Sequence, residues 1–174
     1  MVTFYIPQKG EMIMIGDFYE QLPFFDDFTP EQMALLQQIF IPCDCYADTV
    51  IFEQGDPAEH LYLIIVGEVV VRYKPEDGAE IPVARIKGRG IVGWSTALGN
   101  PRYTSAAVCT GYTQMLRVSG RDLRSLYNEQ PDTGILILER LAEVIADRLD
   151  ETHEHVVDLL KQGFLNGSAR VKEI

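Results

Sequence analysis

The stretch from Thr49 to Val118 constrains the fold most, because it breaks into short strand-like runs set between turns. Thr49-Val50-Ile51-Phe52 is β-branched and aromatic, a composition that suits a pleated, half-buried surface. Gln54-Gly55-Asp56-Pro57 reads as a turn. Leu61 to Val66 is a continuous apolar run, as in a fully buried strand. Gly67-Glu68 interrupts it, and Val69-Val70-Val71-Arg72-Tyr73 resumes it. Lys74-Pro75-Glu76-Asp77-Gly78 has the Pro and Asp-Gly of a hairpin loop. Ile81 to Ile86, Ser105 to Cys109 and Thr113 to Val118 add further strands. Short strands at this spacing predict a barrel or jelly roll.

Inside that stretch, Gly88 to Val108 holds the only tryptophan and the densest glycine spacing. Gly88, Gly90 and Gly93 allow tight turns and close approach to a ligand. Trp94 to Leu98 is long enough for one helical turn, whose first amides would face an anion. Gly99-Asn100-Pro101 stops the turn, and Arg102, Tyr103, Thr104 and Ser105 lead into the next strand. These are the parts of a small phosphate site. They are also the parts of a plain Gly/Pro loop joining two strands, and residue types alone leave both readings open.

Helices flank the β-rich centre. Residues 1–28 form an N-terminal extension rich in aromatics and methionine, with Glu11 to Gln21 expected to be helical. Thr29-Pro30-Glu31-Gln32 is a strong helix start: Thr29 caps, Pro30 sits at the first helical position and Gln32 completes a capping box. Ser119-Gly120-Arg121-Asp122 repeats the capping pattern before a short helix to about Tyr127. A long helix comes next, over 131–161. Leu138, Ala142, Ile145, Leu149, Thr152, Val156 and Leu159 fall on its alternating four- and three-residue steps, a heptad seam. With roughly 28 residues in regular helix it reaches about 42 Å, more than a small barrel needs, so part of the seam is expected to pack on a second copy. The tail, 162–174, is expected to be flexible.

Composition narrows the functions. The chain has 174 residues, enough for one domain with a sizeable core, and 47% are apolar, as in a globular chain. Its net charge of -11 repels polyanions and anionic membranes, so no direct nucleic acid or membrane partner is expected. Cys43, Cys45 and Cys109 read as reduced thiols, and three are too few for a usual iron–sulfur cluster. The start, Met1 to Pro7, lacks a signal-peptide pattern, and no apolar run spans a bilayer, which predicts a cytoplasmic location. His60, His153 and His155 are scattered, with no metal-ligand spacing and no Ser/His/Asp or Cys/His set. No catalytic residue, metal or cofactor is expected, and a metal-dependent barrel enzyme is disfavoured.

From Phe52-Glu53-Gln54-Gly55-Asp56-Pro57 through His60-Leu61-Tyr62-Leu63-Ile64-Ile65-Val66-Gly67 to Val71, the chain resembles the cyclic nucleotide-binding domain family. The resemblance covers about residues 22–160. It implies a mainly β fold, an eight-stranded β-roll with N-terminal helices and a long C-terminal helix that pairs into a dimer. The roll with its cap helices would occupy 29–130. The resemblance places the family's phosphate-binding cassette at Gly88 to Val108. There the family sets Gly-Glu, then an Arg ten residues after the Glu, then small or hydroxyl residues before a valine. The Glu holds the ribose 2′-hydroxyl and the Arg pairs with the cyclic phosphate. Here Gly93 matches the glycine, Trp94 replaces the Glu, and Thr104 stands where the Arg would be. Ser105-Ala106-Ala107-Val108 matches the small residues and the valine. Arg102 is two residues away, about 6.6 Å along the same strand face. On the long helix, Thr152 falls where some bacterial members touch the adenine.

The expected function is a homodimeric regulatory sensor that binds a small nucleotide or anionic effector and signals through its C-terminal helix. Its site would comprise Gly93, Trp94, Ser95, Thr96, Arg102, Tyr103, Thr104, Ser105 and Thr152. The alternative is a domain that no longer binds a ligand and serves as a dimerisation or interaction module, with Trp94 filling the pocket. The family's transcription factors continue into a winged helix-turn-helix, whereas this sequence stops at Ile174.

Overall fold

The computed structural model describes residues 3–5, 12–14, 19 and 22–147. The chain divides into a unit that ends at Leu138 and a second that begins at Glu139, of which 139–147 are described.

Near the start, β1 (Thr3–Tyr5) pairs antiparallel with β2 (Met12–Met14), Thr3 opposite Met14. At Met12–Met14 this corrects the helix expected over Glu11 to Gln21, because Met-Ile-Met finds its backbone partners in the extended Thr-Phe-Tyr segment; Tyr19 is helical, and the rest of that span lies outside the described residues. A 3-10 turn at Pro23–Phe25 then buries Phe24 and Phe25. Helix α1 (Pro30–Ile39) begins with the full capping box. The Thr29 Oγ1 accepts from the Gln32 N–H at 3.3 Å, and the Gln32 side chain accepts from the Thr29 N–H at 2.9 Å. Leu36 and Phe40 are fully buried, and Phe40 meets the rings of Phe24 and Phe25 at 6.2 and 5.3 Å. The Tyr19 hydroxyl donates to the Phe40 carbonyl at 2.7 Å.

The roll comes next as eight strands: β3 (Ile41–Cys45), β4 (Val50–Phe52), β5 (His60–Val66), β6 (Glu68–Tyr73), β7 (Ile81–Lys87), β8 (Ile91–Val92), β9 (Ala106–Cys109) and β10 (Thr113–Ser119). They form two four-stranded antiparallel sheets, ordered β3-β10-β5-β8 and β4-β9-β6-β7. Successive strands alternate between the sheets, except that β6 and β7 form a hairpin. Val69–Tyr73 therefore does not resume the preceding strand; the chain turns at Gly67 and crosses to the other sheet. Strand position explains burial. The β9 strand, bordered on both sides, is buried throughout, whereas β7 lies at an edge and is largely exposed. Between the sheets lie Phe52, Ile64, Val69, Val71, Val92, Tyr103, Ala107, Cys109 and Met115.

Helix α2 (Gly120–Glu129) starts from a cap in which the Ser119 hydroxyl accepts from the Asp122 N–H at 3.0 Å. The same hydroxyl donates to the Asp122 carboxylate at 2.6 Å. Helix α3 is described over 131–147. Ile137 and Leu141 are buried on it. Of the expected seam, Leu138 and Ala142 are exposed and Ile145 is half-buried. Leu149, Thr152, Val156, Leu159 and the tail lie outside the described residues. No helix among the described residues is long and apolar enough to cross a membrane.

Candidate functional site

The cassette begins where β8 ends. Gly93 takes a left-handed φ of 79°, and a Cβ there would stand 2.6 Å from the His60 carbonyl oxygen. Only glycine meets both demands without strain. A 3-10 turn at Trp94–Thr96 comes after it, closed by the Thr96 N–H on the Gly93 carbonyl at 3.1 Å. The regular turn is three residues long, so its summed dipole is small beside that of a full helix. Ser95 and Thr96 are buried, and Trp94 is half-buried.

One backbone position, His60 at the start of β5, anchors both ends of the cassette. Its carbonyl accepts from the Thr96 hydroxyl at 2.9 Å and from the Tyr103 hydroxyl at 2.7 Å. Its N–H donates to the Tyr103 hydroxyl at 3.0 Å. The Tyr103 ring is buried and stacks on Phe52, centroids 3.8 Å apart with the planes 16° from parallel. Burial pushes the Tyr103 hydroxyl above its ordinary pKa, only partly opposed by its bond to His60. Tyr103, one of the expected site residues, is thus held between His60 and Phe52 and lines the smaller of two cavities beside them.

Arg102 is also engaged: its guanidinium donates to the Gly55 carbonyl. Around it, residues 101–103 pair with the turn at 55–58. Gly55 N–H bonds to the Tyr103 carbonyl at 2.9 Å, Tyr103 N–H to the Asp56 carbonyl at 3.0 Å, and Ala58 N–H to the Pro101 carbonyl at 3.0 Å. Thr104 is exposed and Ser105 is half-buried. Thr152 is outside the described residues. The structure therefore gathers Gly93, Thr96 and Tyr103 around His60, and turns Arg102 to Gly55.

Burial pushes the Cys43 thiol up to about 12 and the Cys109 thiol up to about 11. At neutral pH both remain protonated, the form that is neither nucleophile nor metal ligand. Among the described residues, no group of three or more His, Cys, Asp and Glu has a metal-holding arrangement.

Among the described residues, two cavities adjoin the His60 anchor. The smaller, about 230 Å³, is lined by Phe52, Tyr62 and Tyr103, with Asp56 and Glu59. The larger, about 600 Å³, is lined by Glu59, Thr96, Asn100, Arg121 and Arg124 among others. Neither is lined by Trp94, Arg102 or Thr104. Glu59, Asn100, Arg121 and Arg124 escape a reading of the sequence because three distant segments bring them together. The one local signal is a pair of arginines three apart, just after the Ser119 cap.

Comparison with known proteins agrees with this architecture. The family model described as "Cyclic nucleotide-binding domain" matches residues 44–130. A CRP-like cAMP-activated global transcriptional regulator of Mycobacterium tuberculosis is 26% identical over 136 residues, covering 78% of this chain and 59% of that protein. The chain thus spans about three fifths of that relative's length. Among solved structures, a cyclic nucleotide-binding domain from Methylobacillus flagellatus superposes with a TM-score of 0.72 at 22% identity, covering 82% of this chain and 80% of that one. A regulatory subunit of a cAMP-independent protein kinase A from Trypanosoma cruzi, bound to guanosine, gives 0.62 at 22% identity, covering 84% and 49%. Half of the sequence answers to one family model, and the strands it spans close into the roll described above. The chain therefore belongs to the cyclic nucleotide-binding domain family.

Proposed function

We propose that the chain is a homodimeric regulatory domain, not an enzyme, whose cassette takes a small nucleotide or other anionic effector without the family's usual clamp. The observation that carries this reading is the cassette's attachment. Its turn is tied to β5 through Thr96 and His60, and the same Thr96 touches the start of α2, where a Cβ at Gly120 would stand 2.7 Å from the Thr96 methyl. A ligand that moved the turn would push directly on α2, and α2 leads into α3. Trp94 stands in place of the ribose-binding carboxylate, so cyclic AMP loses a charge-assisted hydrogen bond of about 1.5–3 kcal/mol, roughly tenfold or more in affinity. The guanosine-bound Trypanosoma cruzi subunit supports a nucleoside-type ligand on this fold. The exposed Leu138 and Ala142 support pairing of two copies through the C-terminal helix.

The test is calorimetric titration of the full chain with cyclic AMP, cyclic GMP, guanosine and adenosine 5′-monophosphate, with light scattering for mass. Saturable binding of at least one ligand by a dimer is expected. Silence across the panel favours a second reading, a ligand-free dimerisation or interaction module. That reading has its own support: Arg102 is held by Gly55 and Tyr103 is packed against Phe52. A monomer at high concentration overturns both.

A further inference from the structure

The larger cavity lies where three segments meet: the turn before β5 (57–60), the outer side of the cassette (Thr96 and 99–101) and the first turn of α2. The junction is tight. Gly120 N–H donates to the Glu59 carbonyl at 2.8 Å. A Cβ at Gly120 would lie 3.2 Å from Nη1 of Arg124, so that guanidinium folds back over the start of its own helix. Among the described residues, neither Arg121 nor Arg124 has an ion pair or a side-chain hydrogen bond. Glu59 is exposed with its carboxylate likewise unbonded, whereas Asp122 is held by Ser119.

We infer that this cavity is a binding site for a phosphorylated sugar or nucleoside monophosphate, separate from the cassette. Two guanidiniums suit a phosphate, because their N–H groups match its oxygens in charge and geometry. A carboxylate on the same cavity suits vicinal hydroxyls, which donate to it. Together they select a ligand that carries an anion at one end and hydroxyl donors at the other. A volume of about 600 Å³ suits a whole nucleotide rather than a bare ion. The net charge of -11 works against longer polyanions, which favours a monoester. A carboxylate and guanidiniums, the groups absent from cassette positions 94 and 104, thus occur together on the cassette's outer side at Glu59, Arg121 and Arg124. An occupant would touch the cassette turn and α2 at once, and so bias how the two sit against each other.

The test is amide NMR of the labelled full chain, titrated with ribose 5-phosphate, adenosine 5′-monophosphate and inorganic phosphate. Saturable shifts at Glu59, Asn100 and Gly120–Arg124 are expected with the two organic phosphates. Arg121→Gln combined with Arg124→Gln should weaken them at least tenfold. Glu59→Gln should weaken ribose 5-phosphate and leave inorganic phosphate unchanged. No saturable shift, or equal binding by the double variant, overturns the site. Insensitivity of ribose 5-phosphate to Glu59→Gln overturns the sugar assignment. Shifts confined to Gly93–Trp94 and Thr104–Ser105 also overturn it, and would support the cassette reading instead.

Discussion

The hydroxyl of Tyr103 satisfies both backbone groups of His60, donating to the carbonyl at 2.7 Å and accepting from the N–H at 3.0 Å. Forty-three residues separate the pair in sequence, so this contact closes the cassette onto the roll.

Tyr103→Phe removes both bonds and keeps the ring. A loss of about 1–2 kcal/mol in urea unfolding is expected. Tyr103→Ala also removes the ring from Phe52, and the expected loss rises to about 3–5 kcal/mol for an aromatic cut from a core. Equal stability of the Phe variant and the parent would mean that His60 does not depend on the hydroxyl.

Gly120→Ala tests the contact between cassette and helix. In an exposed helix this change stabilises by about 1 kcal/mol. Here the new methyl would meet the Thr96 methyl at 2.7 Å, so a destabilisation of about 1–3 kcal/mol is expected. Thermal unfolding gives the sign directly. A gain in stability would show that the turn and α2 part easily.

Trp94→Glu with Thr104→Arg returns a carboxylate and a guanidinium to their ten-residue spacing. Each charge-assisted bond contributes about 1.5–3 kcal/mol. Cyclic AMP affinity by calorimetry should rise at least tenfold over the parent. Unchanged affinity would locate the obstacle elsewhere, in the bonding of 101–103 to the turn at 55–58.

Alkaline pH should weaken the fold. Burial raises the Cys43 thiol from 9.0 to about 12, and the Tyr19 hydroxyl from 10.0 to about 12. Above pH 9 the unfolded chain loses these protons first, so unfolding releases protons and stability falls as pH rises toward 12. Urea midpoints should be lower at about pH 10.5 than at about pH 8. Cys43→Val should make that fall shallower without abolishing it, because the Cys109 and Cys45 thiols are raised as well; an unchanged slope would clear Cys43.

Much of the roll is legible in residue order because β-branched runs and turn residues report local preference. Val50–Phe52, Glu68–Tyr73 and Thr113–Ser119 arise from such runs. The short Ile91–Val92 strand does not, since two residues carry no period. Nor does the Thr3–Tyr5 pairing with Met12–Met14, where the partner strand decides. At the cassette, Gly93 announces its turn, because only a glycine tolerates that φ beside the His60 carbonyl. The fates of Arg102 and Tyr103 are set by Gly55, Phe52 and His60, between 43 and 51 residues upstream. No local pattern encodes such a meeting.

The edge strand β7 carries one more consequence. It pairs with β6 through a register shift beyond Val71, and Pro82 sits opposite Arg72. Ile81 and Val83 on either side are 52% and 53% exposed. An apolar edge of this kind would ordinarily template a foreign strand and seed aggregation. Proline offers no N–H to a newcomer, and the irregular register bends the edge away from a flat docking line. At this edge the sheet is therefore guarded against growth by strand addition.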